Sequence, residues 1–281
     1  MKLKQLVITI FILTGGLSAP LFAQGGKVDT ESEWEEEVFR ASTKQVNQFF
    51  RRFNGEEDPE GNRYLPTDRK YRDYKVRREY LPLLIDPSVY AGSLSTVETF
   101  FESVNDKKSP YFLDNHTDDW VAEVNCEFLF QGKSKGITLM MKLQPQGQGY
   151  EWIIEDVNAD FISQLFNKDT TDSKPFIHPM SHELDFMNFN KVFKKEINPE
   201  SYTADNFKPD FLTIFLYELK SNRLQFQSVQ SVRFHFFSVP GWYFELSEYN
   251  RPGMPSGWLI SNLVAVNEAQ KQQIKDYVYG R

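Results

Sequence analysis

The chain has 281 residues, with 32 lysines and arginines against 39 aspartates and glutamates, and a formal net charge of −7. An acidic total of this size argues against a general nucleic-acid-binding protein, which normally carries a basic face. Its 25 phenylalanines supply ample apolar surface for a packed core. The single cysteine, Cys126, excludes an internal disulfide framework and a cysteine-rich metal cage. We expect it to be a buried structural thiol.

The first residues have the pattern of a targeting segment. Lys2 and Lys4 precede an apolar run at residues 6–13, and the small residue Ala23 follows. This order is typical of a secretory signal peptide, which we place at residues 1–23, so that the remaining chain is periplasmic or extracellular. No later stretch is apolar over enough residues to predict a transmembrane segment.

Two parts of the chain repeat the same order of predicted elements. Apolar residues at helical spacing predict a first helix over residues 31–53, which contains NQFFRR near its end. A helix predicted to begin near Ser181 contains a similar pattern, with Asn190 and then Phe193 before two lysines. The next predicted helix of each part is short, at residues 95–105 and 210–220.

Each short helix precedes three predicted strands. Alternating apolar residues and many β-branched or aromatic side chains support these strands. They lie at residues 120–130, 136–143, 150–157, 224–237, 242–246 and 257–266. The last strands of the two parts also align on Trp152 and Trp258, and we expect both tryptophans to be core residues. The matching order indicates a duplication.

The repeat divides the chain into two units, each with helices first and an antiparallel sheet afterwards. This order predicts an α+β fold with helices packed on one face of the sheet. The first unit spans residues 24–166, a polar linker with prolines spans 167–180, and the second unit spans 181–281. The first unit is the larger one because it contains an insertion at about residues 54–92.

A helix that ends in FFRRFN, further helices, and a meander with a tryptophan in its last strand resemble the NTF2-like superfamily. The resemblance implies two tandem NTF2-like units, each with a curved sheet closed by helices around either a small-molecule pocket or a plain core. It also implies a monomeric pseudo-dimer in which the units bury a sheet face against each other. Tandem exported units of this kind also resemble secreted proteins of the Bacteroidetes. The superfamily includes isomerases, dehydratases and binding modules, so the fold leaves the function open.

The insertion has the densest charge in the chain, interleaved with tyrosines. Planar guanidinium groups beside phenols suit carboxylate, phosphate or sugar-acid ligands. The same residues also fit a solvated amphipathic helix over about residues 68–80 that docks through its tyrosines. We predict a binding surface for a protein, a glycan or a small anionic ligand at six residues: Arg69, Arg72, Arg77, Arg78, Tyr71 and Tyr74.

Carboxylates at the end of the first unit are a candidate catalytic site. Isomerase-like chemistry on this fold needs an inward-facing carboxylate base. Glu155, Asp156 and Asp160 are the candidates, and one of the adjacent pair faces inward if the strand continues. The second unit has Ser261 and Asn262 at the matching positions, so the two units share no catalytic pair.

The remaining motifs favour no catalytic chemistry. His178 and His182 lie four residues apart, but Pro179 and Ser181 place the helix start after His178, and we predict no metal site and no cofactor. The chain lacks a nucleophile elbow and a phosphate-binding glycine loop. The sequence therefore favours an exported, non-catalytic binding or scaffold protein of the cell envelope. The alternatives are a small-molecule enzyme with one pocket in the first unit and a structural envelope protein without a ligand.

Overall fold

The computed structural model describes residues 45–58, 60–116, 119–163, 202–204, 206–251 and 256–280. The predicted signal peptide, residues 31–44 of the first predicted helix and the predicted linker therefore lie outside the described residues. So do the helix predicted near Ser181 and the His178–His182 pair.

The described chain is an α+β fold. Its helices are α1 (Val46–Asn54), α2 (Tyr74–Tyr80), α3 (Pro87–Gly92), α4 (Leu94–Val104), α5 (Asp160–Ser163), α6 (Phe211–Lys220) and α7 (Glu268–Val278), with a 3₁₀ turn at Leu81–Leu84. Its strands are β1 (Trp120–Phe130), β2 (Lys133–Gln146), β3 (Gly149–Asn158), β4 (Leu224–Phe236), β5 (Trp242–Tyr249) and β6 (Gly257–Ala265). All six predicted strands and both short predicted helices are confirmed. Among the described helices, none combines the length and apolar character that a membrane crossing requires.

The six strands form one antiparallel sheet in the order β3-β2-β1-β4-β5-β6. At its centre β1 pairs with β4 along almost their whole length, from Trp120 opposite Phe236 to Phe130 opposite Leu224. The two halves of the chain thus meet edge to edge, and not across a sheet face as the pseudo-dimer expectation had it. Each of these strands comes first in its meander, so each has an open edge whose backbone groups the other strand satisfies.

The helices cross between the halves. Helix α4 precedes β1 in the chain but packs on β6 and β5, where the Phe100 ring lies 5.2 Å from Trp242 and 5.9 Å from Phe244. Helix α6 precedes β4 and contacts it, but it also packs on β3 and β1, where the Phe215 ring lies 5.5 Å from Phe128. Each hydrophobic cluster on this face therefore contains residues from both halves. The C-terminal helix α7 packs on the opposite face of the sheet.

The insertion is part of this core. Leu81, Leu84 and Ile85 are buried in the main cluster. Ile85 forms a parallel bridge with Ile260 of β6, and the Asp86 amide donates a hydrogen bond to the Ile260 carbonyl at 2.9 Å. The segment therefore covers the outer edge of the sheet at β6.

Helix α2 is shorter than the amphipathic helix predicted over residues 68–80. Arg72 has a φ of 54°, which is incompatible with a right-handed helix. Asp73 then caps the first turn, because its carboxylate accepts hydrogen bonds from the amides of Lys75 and Val76. The helix begins at Tyr74 for this reason.

Candidate functional site

The structure separates the six residues of the predicted binding surface, and Arg77 lies deepest. It is fully buried, and its guanidinium donates to the carbonyls of Phe53 at 3.0 Å, Val104 at 3.1 Å and Tyr111 at 2.8 Å. The first two carbonyls belong to the last turns of α1 and α4, which need external donors. Burial, and to a lesser degree the charge of Arg72, lowers the pKa of Arg77 to about 10. Arg77 joins two helix ends and is not available to a surface ligand.

Two further members of the set bind within the chain. Arg72 donates from Nε to the Glu56 carboxylate at 2.7 Å, and its guanidinium lies 4.5 Å from the centre of the Phe112 ring. The Tyr71 hydroxyl reaches the same carboxylate at 3.4 Å. Arg69 is exposed, and it lies outside the groove that the last two members share.

Tyr74 and Arg78 line a groove of about 860 Å³ between α2 and α4. Its first wall consists of Tyr74, Arg78, Leu81 and Pro82. Its second wall consists of Glu98, Phe101, Glu102 and Asn105, whose spacing of three, four and seven residues places them on one face of α4. The turn after α4 closes one end with Asp106, Lys107 and Lys108. The volume lies within the range of roughly 300–1,000 Å³ that is typical of ligand sites.

Asn105 fixes the relation between the two walls. Its Nδ2 donates to the Tyr74 carbonyl at 3.1 Å, so the first residue of α2 lies beside the last turn of α4. The other amide atom, Oδ1, is buried and has no hydrogen-bond donor among the described residues. A buried acceptor without a donor costs about 1–3 kcal/mol.

The groove carries unpaired charges of both signs. Arg78, Lys108, Glu98 and Glu102 are exposed, and none of them forms an ion pair with another residue that the structure describes. The Lys107 ammonium lies 5.0 Å from the centre of the Tyr74 ring, which is a cation–π contact. The backbone amides of Ser109 and Lys108 bind the Asp106 carboxylate and lower its pKa. The site can therefore engage charged ligand groups without first breaking ion pairs within the described chain.

The alternative carboxylates lie elsewhere. A bulge in β3 falls at Glu155 and interrupts the alternation on which the expectation of an inward-facing residue depended. Glu155 accepts a hydrogen bond from the Tyr279 hydroxyl, and Asp156 lies opposite Met140. Both contacts belong to the face on which α7 packs. Asp160 is exposed at the start of α5, and none of the three lines the groove.

A polar network that the sequence analysis missed crosses the sheet on the α7 face. The buried His235 ring binds Glu123 at 2.9 Å through Nε2 and the Tyr243 hydroxyl at 2.8 Å through Nδ1. Tyr243 in turn donates to Glu245 at 2.7 Å, and Arg233 lies 3.8 and 3.6 Å from the two carboxylates. The hydrogen bond from His235 lowers the pKa of Glu123 to about 2, against the effect of burial. Burial raises the pKa of Tyr243.

The members of this network bind one another and join three strands, β1, β4 and β5. Residues two apart on a strand share a face, so the alternation of Arg233 with His235 and of Tyr243 with Glu245 could have indicated two polar rows. These polar side chains contact Glu123 only because β1 pairs with β4, and the sequence does not reveal that pairing.

The described residues offer neither a cluster of metal ligands nor an exposed thiol. Within them, no three histidine, cysteine, aspartate or glutamate side chains come together as a possible metal site. Cys126 is buried and free, as predicted, and burial raises the pKa of its thiol. Comparison of the chain with models of known protein families, with curated proteins and with solved structures gave no match.

Proposed function

We propose that the protein is an exported, non-catalytic binding protein of the cell envelope that holds an anionic ligand in the groove between α2 and α4. The observation that carries the proposal is that Arg78 and Tyr74 line the same wall of the groove, and that Lys108 lies at one end of it. Guanidinium and ammonium groups beside a phenol ring suit a carboxylate, a phosphate or a sugar acid.

We propose a function without catalysis because the acidic side chains of the groove are exposed to water. A carboxylate base with a strongly raised pKa needs an apolar enclosure. Glu98 and Glu102 are exposed on the open wall of α4, where water solvates their charges. The groove thus offers recognition by charge and by an aromatic ring, without an enclosed proton-transfer group.

The proposal also includes a tandem NTF2-like origin for the two halves. Two meanders that mirror each other about the β1–β4 pair support it, as does the single helix that immediately precedes each meander in the described chain. Binding at the groove does not depend on this origin, since both groove walls come from the first half.

The test is a titration of the purified chain, followed by the backbone amide signals in NMR spectra. The probes are N-acetylalanine, galacturonate and inorganic phosphate. We expect at least one of them to give saturable shifts at residues of α2 and α4, and to be recovered unchanged by mass spectrometry. The change Arg78→Gln should weaken that binding about tenfold, since a charge-assisted hydrogen bond contributes roughly 1.5–3 kcal/mol.

The matched control is Arg69→Gln, because Arg69 is an exposed arginine of the same insertion outside the groove. It should leave the binding constant unchanged. Saturable shifts that avoid the groove, or an equal effect of the two variants, would contradict the proposal. Conversion of the probe to a product would instead support the enzyme alternative.

A further inference from the structure

The two outer strands of the described sheet differ in their protection against pairing with another chain. Strand β3 carries Glu151, Glu155 and Asp156, and charges on an outer strand discourage edge-to-edge association. Strand β6 (Gly257–Ala265) contains neither a charged residue nor a proline. Of these two edges, only β6 therefore lacks the usual chemical protection against an additional strand.

The insertion covers only the first half of the β6 edge. Ile85 forms a parallel bridge with Ile260, and the Asp86 amide donates to the Ile260 carbonyl at 2.9 Å. At Pro87 the insertion turns into α3, and its pairing with β6 ends. The chain thus already pairs an extended segment with this edge, and it leaves the open half of β6 (residues 262–265) beside that segment.

The open half of β6 presents backbone groups that are ready to pair. The Val266 amide donates to the Gly241 carbonyl at 2.9 Å, and the register between β5 and β6 continues from there to Asn262 without a shift. Because the backbone groups of successive residues point to alternate sides of a strand, the N–H and C=O groups of Leu263 and Ala265 point away from β5. These four groups have no hydrogen-bond partner among the residues that the structure describes.

A small cleft of about 230 Å³ lies beside the open half of β6, between this strand and the helices α3 and α4. Its helical side includes Gly92, Ser93 and Thr96, and its strand side includes Leu263. Its described lining residues are small, hydroxyl-bearing or apolar, and none of them is ionisable. The volume is below the range of roughly 300–1,000 Å³ that is typical of small-molecule sites. The cleft therefore suits one small, uncharged side chain of a strand that pairs with β6.

We propose that the open half of β6 binds an extended segment of another protein, which joins the sheet as an additional strand. The backbone groups of Leu263 and Ala265 supply the hydrogen bonds, and the cleft selects a small, uncharged side chain. A second copy of this chain is the less favourable partner, because its own β6 edge is half covered by the insertion. This binding surface is separate from the groove between α2 and α4.

The test is a titration of the isotope-labelled full chain with the probe acetyl-Ser-Ala-Val-Ala-Ser-amide, followed by amide NMR signals and by hydrogen exchange. We expect saturable shifts at residues 261–265. In the complex the amide hydrogens of Leu263 and Ala265 should exchange with solvent at least about tenfold more slowly, because the added strand binds them. The Val264 amide points toward β5 and should keep its exchange rate. Slowed exchange at alternate residues distinguishes strand pairing from contact through side chains alone.

Two variants block the surface in different ways. Ala265→Pro removes one outward N–H, which an outer strand tolerates, and should weaken binding about fivefold. Gly92→Leu should abolish saturable binding because it fills the cleft, and the fold accepts it since a Cβ at Gly92 meets no neighbouring atom within 4 Å. The matched controls are Val264→Thr, which keeps every outward N–H, and Gly136→Leu in β2, where a Cβ is equally free. Both controls should bind the probe as the unmodified chain does.

Three results would overturn the proposal. Shifts without slowed exchange at Leu263 and Ala265, or equal binding by Gly92→Leu and Gly136→Leu, would exclude strand addition at this edge. No binding of the probe at millimolar concentration would reject an added strand with small, uncharged side chains. Dimerisation that Gly92→Leu prevents, measured by sedimentation, would assign the edge to a second copy of the chain. None of these results affects anion binding between α2 and α4, which is tested with other probes.

Discussion

The two outer strands of the sheet carry aligned tryptophans in different surroundings. Trp152 on β3 is 42% exposed, whereas Trp258 on β6 is 9% exposed. The sequence alignment predicted both in the core, and only Trp258 is buried. Trp258 belongs to the main hydrophobic cluster, which also contains Leu81, Leu84 and Ile85 of the insertion, and Ile85 bridges to β6. The insertion is the most highly charged part of the sequence, but it also contributes buried apolar residues to the core of the second half.

The first prediction separates the structural part of the insertion from its binding part. Arg77→Leu should lower the free energy of unfolding by about 3–5 kcal/mol, because two buried carbonyls and one partly buried carbonyl lose a charged donor. The neighbouring change Arg78→Leu should cost less than about 0.5 kcal/mol, since Arg78 is exposed. Urea denaturation of the two variants measures both values. Equal losses would contradict the division between a structural and a ligand-binding arginine.

The second prediction tests whether the insertion stabilises the sheet at β6. Ile85→Ala should destabilise the chain by about 2–4 kcal/mol, because it removes buried apolar volume beside β6. Leu83→Ala, two residues away on an exposed side chain, should have an effect within about 0.5 kcal/mol. Thermal unfolding of the two variants measures both effects. A small effect of Ile85→Ala would show that the edge does not depend on the insertion.

The third prediction concerns the seam between the halves, where Glu123 of β1 binds His235 of β4. The pKa of Glu123 is about 2 in the folded chain, against about 4.3 for an unfolded glutamate. Its stabilising contribution is therefore complete above about pH 4.3 and is lost as the pH falls through 2. We expect the contribution to be about 2 kcal/mol, smaller than the full pKa difference gives, because the group is partly exposed.

The measurement is the free energy of unfolding from pH 6 to pH 2 for the unmodified chain and for Glu123→Gln. The variant should be less stable at pH 6, and the two curves should converge toward pH 2. Parallel curves over this range would show that the carboxylate of Glu123 does not stabilise the joined sheet.

Local structure followed from the sequence because its signals are local. Alternation over ten residues identifies a strand such as β1 wherever that strand pairs. The pairing of β1 with β4 joins Trp120 to Phe236, and no periodicity relates residues so far apart in the chain. The bulge at Glu155 is a feature of the pairing between β2 and β3, so the sequence of β3 alone did not predict it.

The candidate site was predictable only in part. Tyr74 and Arg78 stood out because they lie in a basic, tyrosine-rich segment. Arg77 has the same local signal as Arg78, and only the helix ends packed around it distinguish the two. The wall from α4 was missed because it comes from another helix, although the spacing of Glu98, Glu102 and Asn105 could have indicated a common face.

The crossing of helices between the halves has a consequence for synthesis of the chain. A ribosome adds about 5–20 residues per second, so α4 emerges roughly ten seconds before β5 and β6 exist. During that interval Phe100 lacks the Trp242 and Phe244 rings on which it later packs, and the β1 edge lacks β4. The nascent first half therefore displays apolar surface and an open strand together, which makes it a client for chaperones until translation ends.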